Sequence, residues 1–164
     1  MFRDMRRNKQ LLSMEETIAI LEKGTSGTLA LLGDDDYPYA VPMSYVYSDG
    51  KIFFHSATVG HKIDAIKKHD KASFCVIDAD DVVSEEYTTY FRSAIAFGRI
   101  KIIEDDAQKR SAIRVLTEKY SFAHRDGIEN EMNRKYKTFL MVELDIEHMD
   151  GKEAIELVRS KKII

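Results

Sequence analysis

The 164-residue chain has little cysteine and no long apolar run, and each shortage excludes a class of protein. Its one cysteine, Cys75, excludes an internal disulfide and any zinc or iron–sulfur site built from several cysteines. Cys75 lies in the apolar run SFCVI, which predicts a buried core thiol. The N-terminal sequence MFRDMRRNKQLLSMEE has no continuous apolar segment. We therefore expect no signal peptide, no membrane span and a cytoplasmic location.

A concentrated basic face is also missing. The 25 lysines and arginines are scattered among 28 acidic residues and leave a net charge of -3. A nucleic-acid partner is therefore not expected, because such proteins need clustered positive charge. Hydrophobic residues make up 44% and charged residues 32%, as in ordinary globular proteins. The length predicts one domain over residues 1–164, large enough to bury a core without disulfides or metals.

Short strands joined by tight turns dominate the pattern. Turn residues at 33–36 and 48–50 separate the first three strands, and Pro42 marks a bulge or a sheet edge in the second. Gly98 is typical of a long, bent barrel strand, whereas the acidic segment 80–86 is predicted to be a loop. The six predicted strands are 27–32, 39–47, 51–56, 71–78, 89–103 and 139–146.

Helices are predicted between these strands. Ser13 and Glu16 have the spacing of a capping box and start a short N-terminal helix, about 13–24, that Gly24 ends. The remaining predictions are helices at 60–69 and 105–120, a mixed and partly helical segment at 121–137 and a C-terminal tail at 155–164. Hairpins outnumber strand–helix–strand units, so the fold class is α+β, mainly β: an antiparallel barrel with peripheral helices.

Polar and cationic residues gather where the third strand gives way to a helix, in the sequence KIFFHSATVGHKID at 51–64. A helix that begins near Gly60 leaves unpaired backbone N–H groups, which together with the helix dipole favour an anion. Lys62 adds a positive charge, and Ser56 and Thr58 add hydroxyl donors. These features predict a phosphate site. The alternative is that Lys62 lies on a solvated helix face while Ser56 and Thr58 cap the helix.

His55 faces opposite to Ser56, because side chains alternate along a strand. It is a candidate for proton transfer, since an imidazole can donate or accept a proton near neutral pH. The alternative is a structural histidine. His55, His61 and His69 have no recognised ligand spacing, so we expect no metal site.

Several signatures in order resemble one known family. They are YPYAVPMSY at 37–45, IFFHSA at 52–57, GHK at 60–62, YFRSAIAFGR at 90–99 and DGKE at 150–153. Together they resemble the flavin-binding split barrels related to pyridoxamine 5'-phosphate oxidase, and most closely the nitroimidazole-resistance (Nim-type) branch. The resemblance covers nearly the whole chain. A convincing set of basic residues for a substrate phosphate is not found, which argues against vitamin B6 oxidation.

The resemblance implies a six-stranded antiparallel split barrel that forms a homodimer, with FMN in clefts at the interface. Residues 41–45 would follow the isoalloxazine ring, and Lys62 would hold the phosphate with help from His61. His55 would stand near the flavin and act in catalysis. The cofactor-binding residues that the resemblance implies are Pro42, Met43, Ser44, Tyr45, His55, Ser56, Ala57, Gly60, His61, Lys62, Arg92 and Ser93.

Three functions are compatible with this sequence. The first is an FMN-dependent oxidoreductase that passes electrons from a reduced nicotinamide to a small acceptor, with a nitroaromatic as one candidate. The second is a flavin- or haem-binding storage or sensor module of the same fold that does not turn over. The third is a split barrel that has lost its cofactor and serves in interactions.

Overall fold

The computed structural model describes residues 1–120 and 136–161, and these form an antiparallel sheet flanked by helices. The strands are β1 Ser26–Leu32, β2 Pro38–Ser44, β3 Val46–Ser48, β4 Lys51–Ser56, β5 Lys71–Val83, β6 Thr88–Ile102 and β7 Leu140–Glu153. The α-helices are α1 Met14–Lys23, α2 His61–Lys68, α3 Asp106–Tyr120 and α4 Ile155–Lys161. Short 3-10 turns occupy Asn8–Gln10, Asp34–Asp36 and Ser84–Glu86.

The sheet has the order β2-β1-β5-β6-β7-β4-β3, with antiparallel neighbours throughout. Strands β2 and β3 follow each other in the chain, yet they form opposite edges of the sheet. The sheet must therefore curl until its edges approach. Within the described residues these edges are not hydrogen-bonded to each other, so the barrel stays open. The mainly β, α+β class is confirmed, whereas the predicted count of six strands is wrong because the described residues form a sheet of seven.

The seventh strand arises because the predicted strand 39–47 is broken at Tyr45. Residues before the break pair with β1, and residues after it pair with β4. The Tyr45 side chain is fully buried, packs edge-on against Phe74 and donates a hydrogen bond of 2.8 Å to the Leu21 carbonyl. A buried ring anchored in this way fixes the point at which the chain leaves one sheet edge for the other. Pro42 lies in edge strand β2, as predicted.

The predicted acidic loop at 80–86 is mostly strand. β5 continues to Val83 and pairs with the start of β6, with Asp81 opposite Tyr90. Tyr87 closes the ribbon with a left-handed backbone at φ 53°. The β-branched residues on both arms favour an extended backbone, and in a two-stranded ribbon the acidic side chains stay in water. The loop predicted from the acidic composition is therefore wrong for residues 80–83, which belong to β5.

The C-terminal region is also more regular than predicted. β7 extends past Ile146 to Glu153, and the tail folds as α4. Lys161, at the end of α4, holds the helix down because its Nζ lies 2.6 Å from Glu16 and 2.8 Å from the buried Glu153. The mixed segment predicted at 121–137 lies, except for its last two residues, outside the described residues.

Most apolar side chains meet inside the curled sheet under α1 and α2. The largest fully buried ones include Phe54, Phe74, Leu29 and Leu144. A second cluster of buried residues lies between the outer face of the sheet and α3: Ile103, Ala112, Ile113 and Met141. The capping box is present, since Ser13 Oγ accepts from the Glu16 N–H and Glu16 accepts from the Ser13 N–H.

Two further details concern single positions. The prediction of a buried core thiol is wrong: Cys75 is only half-buried, because it points to the face of β5 opposite the buried Phe74 and Val76. Gly98 lies at a β-bulge in β6, where an added Cβ would stand 2.0 Å from the Asp145 carbonyl oxygen. The sequence predicts a bent strand that carries Gly98, and a glycine is needed at this bulge because a larger residue would clash with the Asp145 carbonyl. None of the described helices is long and apolar enough to cross a membrane.

Candidate functional site

The junction between β4 and α2 leaves backbone donors free. Gly60 precedes the helix with φ 125° and ψ 168°, and no side chain caps the helix. The Gly60 carbonyl accepts from the N–H groups of Ile63 and Asp64. Within the described residues, no acceptor contacts the N–H groups of His61 and Lys62. The alternative that Ser56 and Thr58 merely cap the helix is therefore wrong.

Lys62 brings a cation to this junction without a counter-ion. Its Nζ lies 3.1 Å from the Met43 sulfur on β2, and no carboxylate among the described residues is within ion-pair distance. Burial lowers the pKa of the Lys62 ammonium below its usual value. A half-buried cation with only a thioether beside it has donors to spare for an anion.

The His61 side chain points elsewhere. Its ring stacks on Tyr39 with centroids 4.2 Å apart, and its Nε2 accepts a hydrogen bond of 3.3 Å from the Asp34 N–H. The Asp34 carboxylate is 3.7 Å away. The ring therefore connects α2 to the turn between β1 and β2. At the junction, His61 offers only its backbone N–H as a donor beside Lys62.

The predicted residues on β2 divide by strand alternation. Pro42 and Ser44 are exposed on one side, whereas Met43 packs partly against the core. Tyr45 follows the strand and is fully buried. The contact of Met43 with Lys62 therefore links β2 to the start of α2, while Ser44 faces a different space.

That space is a cavity of about 330 Å³ between the outer face of β4 and helix α3. It is lined by Ser44, His55, Leu116, Thr117 and Tyr120. His55 is exposed, and its ring stands edge-on to Phe139 at a centroid distance of 6.4 Å. Ser56 points to the opposite, buried face, and Ala57 follows it on the surface. The structure thus brings Ser44 and His55 together and places Ser56 behind them.

Helix α3 contributes a residue that sequence reasoning missed. The Tyr120 hydroxyl accepts a hydrogen bond of 3.0 Å from the Tyr45 N–H and lies 2.7 Å from the Tyr45 carbonyl, as well as near the Thr25 carbonyl. Burial raises the pKa of Tyr120. Because the sheet ladder is interrupted at Tyr45, these backbone groups need another partner. The sequence carries no signal for this contact, since Tyr120 lies 75 residues further along the chain.

Arg92 and Ser93 lie far from the other predicted residues of the same chain. Arg92 pairs with Glu153 and His55 pairs with Met141, so they occupy opposite ends of β7. At about 3.3 Å of strand rise per residue, roughly 40 Å of β7 separates their partners Met141 and Glu153. Arg92 Nη2 lies 3.4 Å from Glu16, while its Nε is buried and has no partner among the described residues. One chain therefore does not unite all twelve predicted residues.

Among the described residues, no group of three or more histidine, cysteine, aspartate or glutamate side chains is placed to hold a metal ion. The charged group at the junction between β4 and α2 is thus the Lys62 ammonium. An open antiparallel barrel flanked by helices has the architecture of the split-barrel class of proteins.

The comparisons with known proteins identify the family within that class. The family model described as pyridoxamine 5'-phosphate oxidase matches residues 13–153, so the chain belongs to this family. The expected resemblance is therefore confirmed. No curated protein matches the sequence.

Solved structures share the fold at low identity. A candidate 5-nitroimidazole antibiotic resistance protein of Bacteroides thetaiotaomicron is 18% identical with a TM-score of 0.72, covering 87% of this chain and 86% of that one. The FAD and haem binding protein of Mycobacterium smegmatis is 24% identical with a TM-score of 0.73, covering 89% and 73%. The flavocytochrome Anf3 of Azotobacter vinelandii is 17% identical with a TM-score of 0.73, covering 93% and 72%. At these identities the likeness is one of fold.

Proposed function

We propose that the protein is an FMN-binding oxidoreductase that passes electrons from a reduced nicotinamide to a small acceptor, with a nitroaromatic as the first candidate. The observation that carries the proposal is the half-buried Lys62 ammonium beside two backbone N–H groups, none of which has a carboxylate or carbonyl partner among the described residues. Membership of the pyridoxamine 5'-phosphate oxidase family supports it. Two structural neighbours are described as binding flavin together with haem or as a flavocytochrome.

The junction fits the phosphate end of FMN. The ammonium of Lys62 and the N–H groups of His61 and Lys62 are donors, and a phosphate is an acceptor with a double negative charge. Gly60 leaves open space beside it, because an added Cβ there would meet no atom within 4 Å. The Lys62 charge, which burial disfavours, would gain a counter-ion that residues 1–120 and 136–161 do not supply.

The ring end is assigned to the other side of the same barrel opening. When bound, FMN supplies two-electron transfer between donor and acceptor. Ser44 and His55 line a cavity whose remaining walls come from α3, including Leu116. The exposed His55 side chain can exchange protons with a bound molecule in this cavity. We therefore assign His55 the role of donating a proton to the electron acceptor or of orienting that acceptor.

Arg92 and Ser93 enter the proposal through a second copy of the chain. They lie too far from His55 to meet the same flavin in one protomer, although Arg92 retains a buried Nε without a partner among the described residues. We propose a homodimer in which these residues of one protomer approach the flavin of its partner. In that arrangement FMN and the dimer dissociate together on dilution. FMN retained by a monomer would contradict it.

An absorbance spectrum of the purified protein tests cofactor binding. Flavin bands, with FMN identified after denaturation, are the expected result. Turnover with a reduced nicotinamide and a nitroaromatic then tests the reaction. The variant His55→Ala should lose turnover and keep most of its FMN affinity, whereas the control His69→Ala, exposed at the end of α2, should keep both.

A second candidate is a flavin- or haem-binding module without turnover. It is favoured by the cavity, where the polar groups that the described residues add to His55 are all hydroxyls, from Ser44, Thr117 and Tyr120. A haem Soret band, or bound flavin that no nicotinamide reduces, would replace the oxidoreductase by this candidate. A colourless protein that FMN fails to saturate would contradict both.

A further inference from the structure

A second cleft lies beside the N-terminal half of α3, apart from the His55 cavity. Its volume is about 380 Å³, and it shares no lining residue with that cavity. Apolar walls come from Phe53, Ala112 and Val115, and polar or charged ones from Ser48, Asp49, Lys51, Lys101, Gln108, Ser111 and Glu143. This volume lies near the lower end of the range of roughly 300–1,000 Å³ that small-molecule sites occupy, so the cleft suits a small ligand.

Strand register builds the floor of this cleft. Phe53 on β4 and Lys101 on β6 pair with Glu143 of β7 from its two sides. The Glu143 carboxylate lies 2.7 Å from Lys51 Nζ and 3.2 Å from Lys101 Nζ. Its side chain is 7% exposed, against 36% for Lys51 and 59% for Lys101. Two ammonium groups therefore converge on one buried carboxylate, and these three groups together carry one net positive charge.

Both lysines keep hydrogen-bond donors for a ligand. An ammonium has three N–H groups, and Glu143 accepts one from each lysine. The Gln108 amide and the Ser111 hydroxyl on α3 also line the cleft, and neither contacts a hydrogen-bond partner in the described part of the chain. Four side chains with donors thus surround an apolar surface formed by Phe53 and Val115.

Two carboxylates limit how much negative charge the cleft accepts. Asp145 lies 3.7 Å from Lys51 Nζ but is 62% exposed, so water screens it. Asp49 is exposed at the turn before β4. Both carboxylates repel any anion, and they repel a dianion such as phosphate more strongly than a single negative charge. A monoanion also matches the one net positive charge of Lys51, Lys101 and Glu143.

We propose that this cleft binds a small monocarboxylate with an apolar body. The carboxylate bridges Lys51 and Lys101 and accepts from Gln108 or Ser111, while the apolar part lies on Phe53 and Val115. The site shares no residue with the proposed flavin site, so it stands or falls separately from the flavin proposal.

Titration of hexanoate into the full-length protein tests this proposal, followed by the backbone amide NMR signals of Phe53, Gln108 and Val115. We expect saturation in the range of about 0.1–1 mM. Hexanamide has the same body without the charge, and should bind about tenfold or more weakly because it loses the charge-assisted hydrogen bonds. Hexylamine, with the opposite charge, should not bind.

Two variants keep the result independent of folding defects. Lys101→Met removes one cation and leaves Lys51 to pair with Glu143, and should weaken hexanoate about tenfold. Ser111→Trp fills the cleft from the exposed face of α3 and should abolish binding without touching the charges. Lys9→Met, an exposed lysine in the first 3-10 turn, is the control and should bind like the wild type.

Hexanoate that fails to saturate the wild type at about 20 mM would overturn the proposal. So would equal affinities for hexanoate and hexanamide, or unchanged hexanoate binding in folded Ser111→Trp. Loss in both cleft variants with retention in Lys9→Met would support it.

Discussion

Replacing Lys62 by methionine should weaken FMN binding and leave the flavin-free protein at least as stable as the wild type. The Lys62 ammonium is half-buried and contacts the Met43 sulfur at 3.1 Å, and burial lowers its pKa. The flavin-free fold therefore gains nothing from this charge. Methionine keeps most of the apolar stem and packs against a second thioether without the desolvated cation.

The loss of affinity can be estimated from the interaction that disappears. A hydrogen bond to a charged group contributes about 1.5–3 kcal/mol, which corresponds to roughly a 10- to 150-fold change in Kd. Riboflavin lacks the phosphate, so its affinity should change by less than about twofold. Flavin fluorescence titrations of the flavin-free protein measure both constants, and thermal unfolding monitored by circular dichroism measures Tm. Lys67→Met, exposed in the last turn of the same helix, is the matched control.

Three results would refute this reasoning. Equal losses for FMN and riboflavin would mean that Lys62 acts on the ring or on the fold. Unchanged FMN affinity would remove the phosphate site. A clear fall in the Tm of the flavin-free variant would show that the Lys62 ammonium has a stabilising partner.

Three further predictions concern the fold around the site. Gly98→Ala should lower the free energy of unfolding by about 3 kcal/mol or more, since the new Cβ would stand 2.0 Å from a backbone oxygen; Gly50→Ala, which has φ +77° but free space, should cost only about 1 kcal/mol in the same denaturant titration. Tyr120→Phe should cost about 1 kcal/mol because Tyr45 loses its backbone partner, whereas exposed Tyr37→Phe should be neutral. Desolvation tends to raise the pKa of Glu143, but hydrogen bonds from Lys51 and Lys101 outweigh it and lower the pKa overall. The stability difference between wild type and Glu143→Gln should therefore be full above about pH 4.5 and shrink as the pH falls further; a difference that does not change with pH would contradict the lowered pKa.

Local signals in the sequence were sufficient for much of the fold. The capping box at Ser13 and Glu16 lies where predicted, because its partners are three residues apart. The hairpin turn at Asp49 and Gly50 adopts positive φ at both residues, as its composition predicts. Features of this kind depend on neighbours in the chain, so periodicity and turn chemistry reveal them.

Features that depend on distant residues were missed. The break at Tyr45 is invisible in the run YAVPMSYVY, because it depends on a buried ring that reaches Leu21 and on the Tyr120 hydroxyl. The acidic segment after Ile77 is wrongly predicted as a loop, because its strand conformation depends on pairing with β6, which its own charged sequence does not reveal. Half-burial of Cys75 likewise follows from which face of the sheet α1 and α2 cover.

The candidate site was predicted in part for the same reason. Lys62 and Gly60 lie within one turn of the helix start, so the prediction of an anion site at these residues follows from the sequence nearby. The direction of the His61 ring cannot be predicted from the nearby sequence, because Tyr39 and Asp34 determine it. The wall that α3 adds to the cavity at His55 cannot be predicted in this way either.

The break at Tyr45 connects the open barrel with the candidate site. The chain crosses there from one sheet edge to the other, so among the described strands none pairs with the free side of β2, next to the start of α2. Met43, on one side of the break, reaches Lys62, while its neighbour Ser44 faces the cavity of His55. A barrel closed by hydrogen bonds between β2 and β3 would fill this opening with backbone. The proposed phosphate end and the proposed ring end are therefore both consequences of the same interruption of the sheet, and Tyr120 stabilises it by satisfying the Tyr45 backbone.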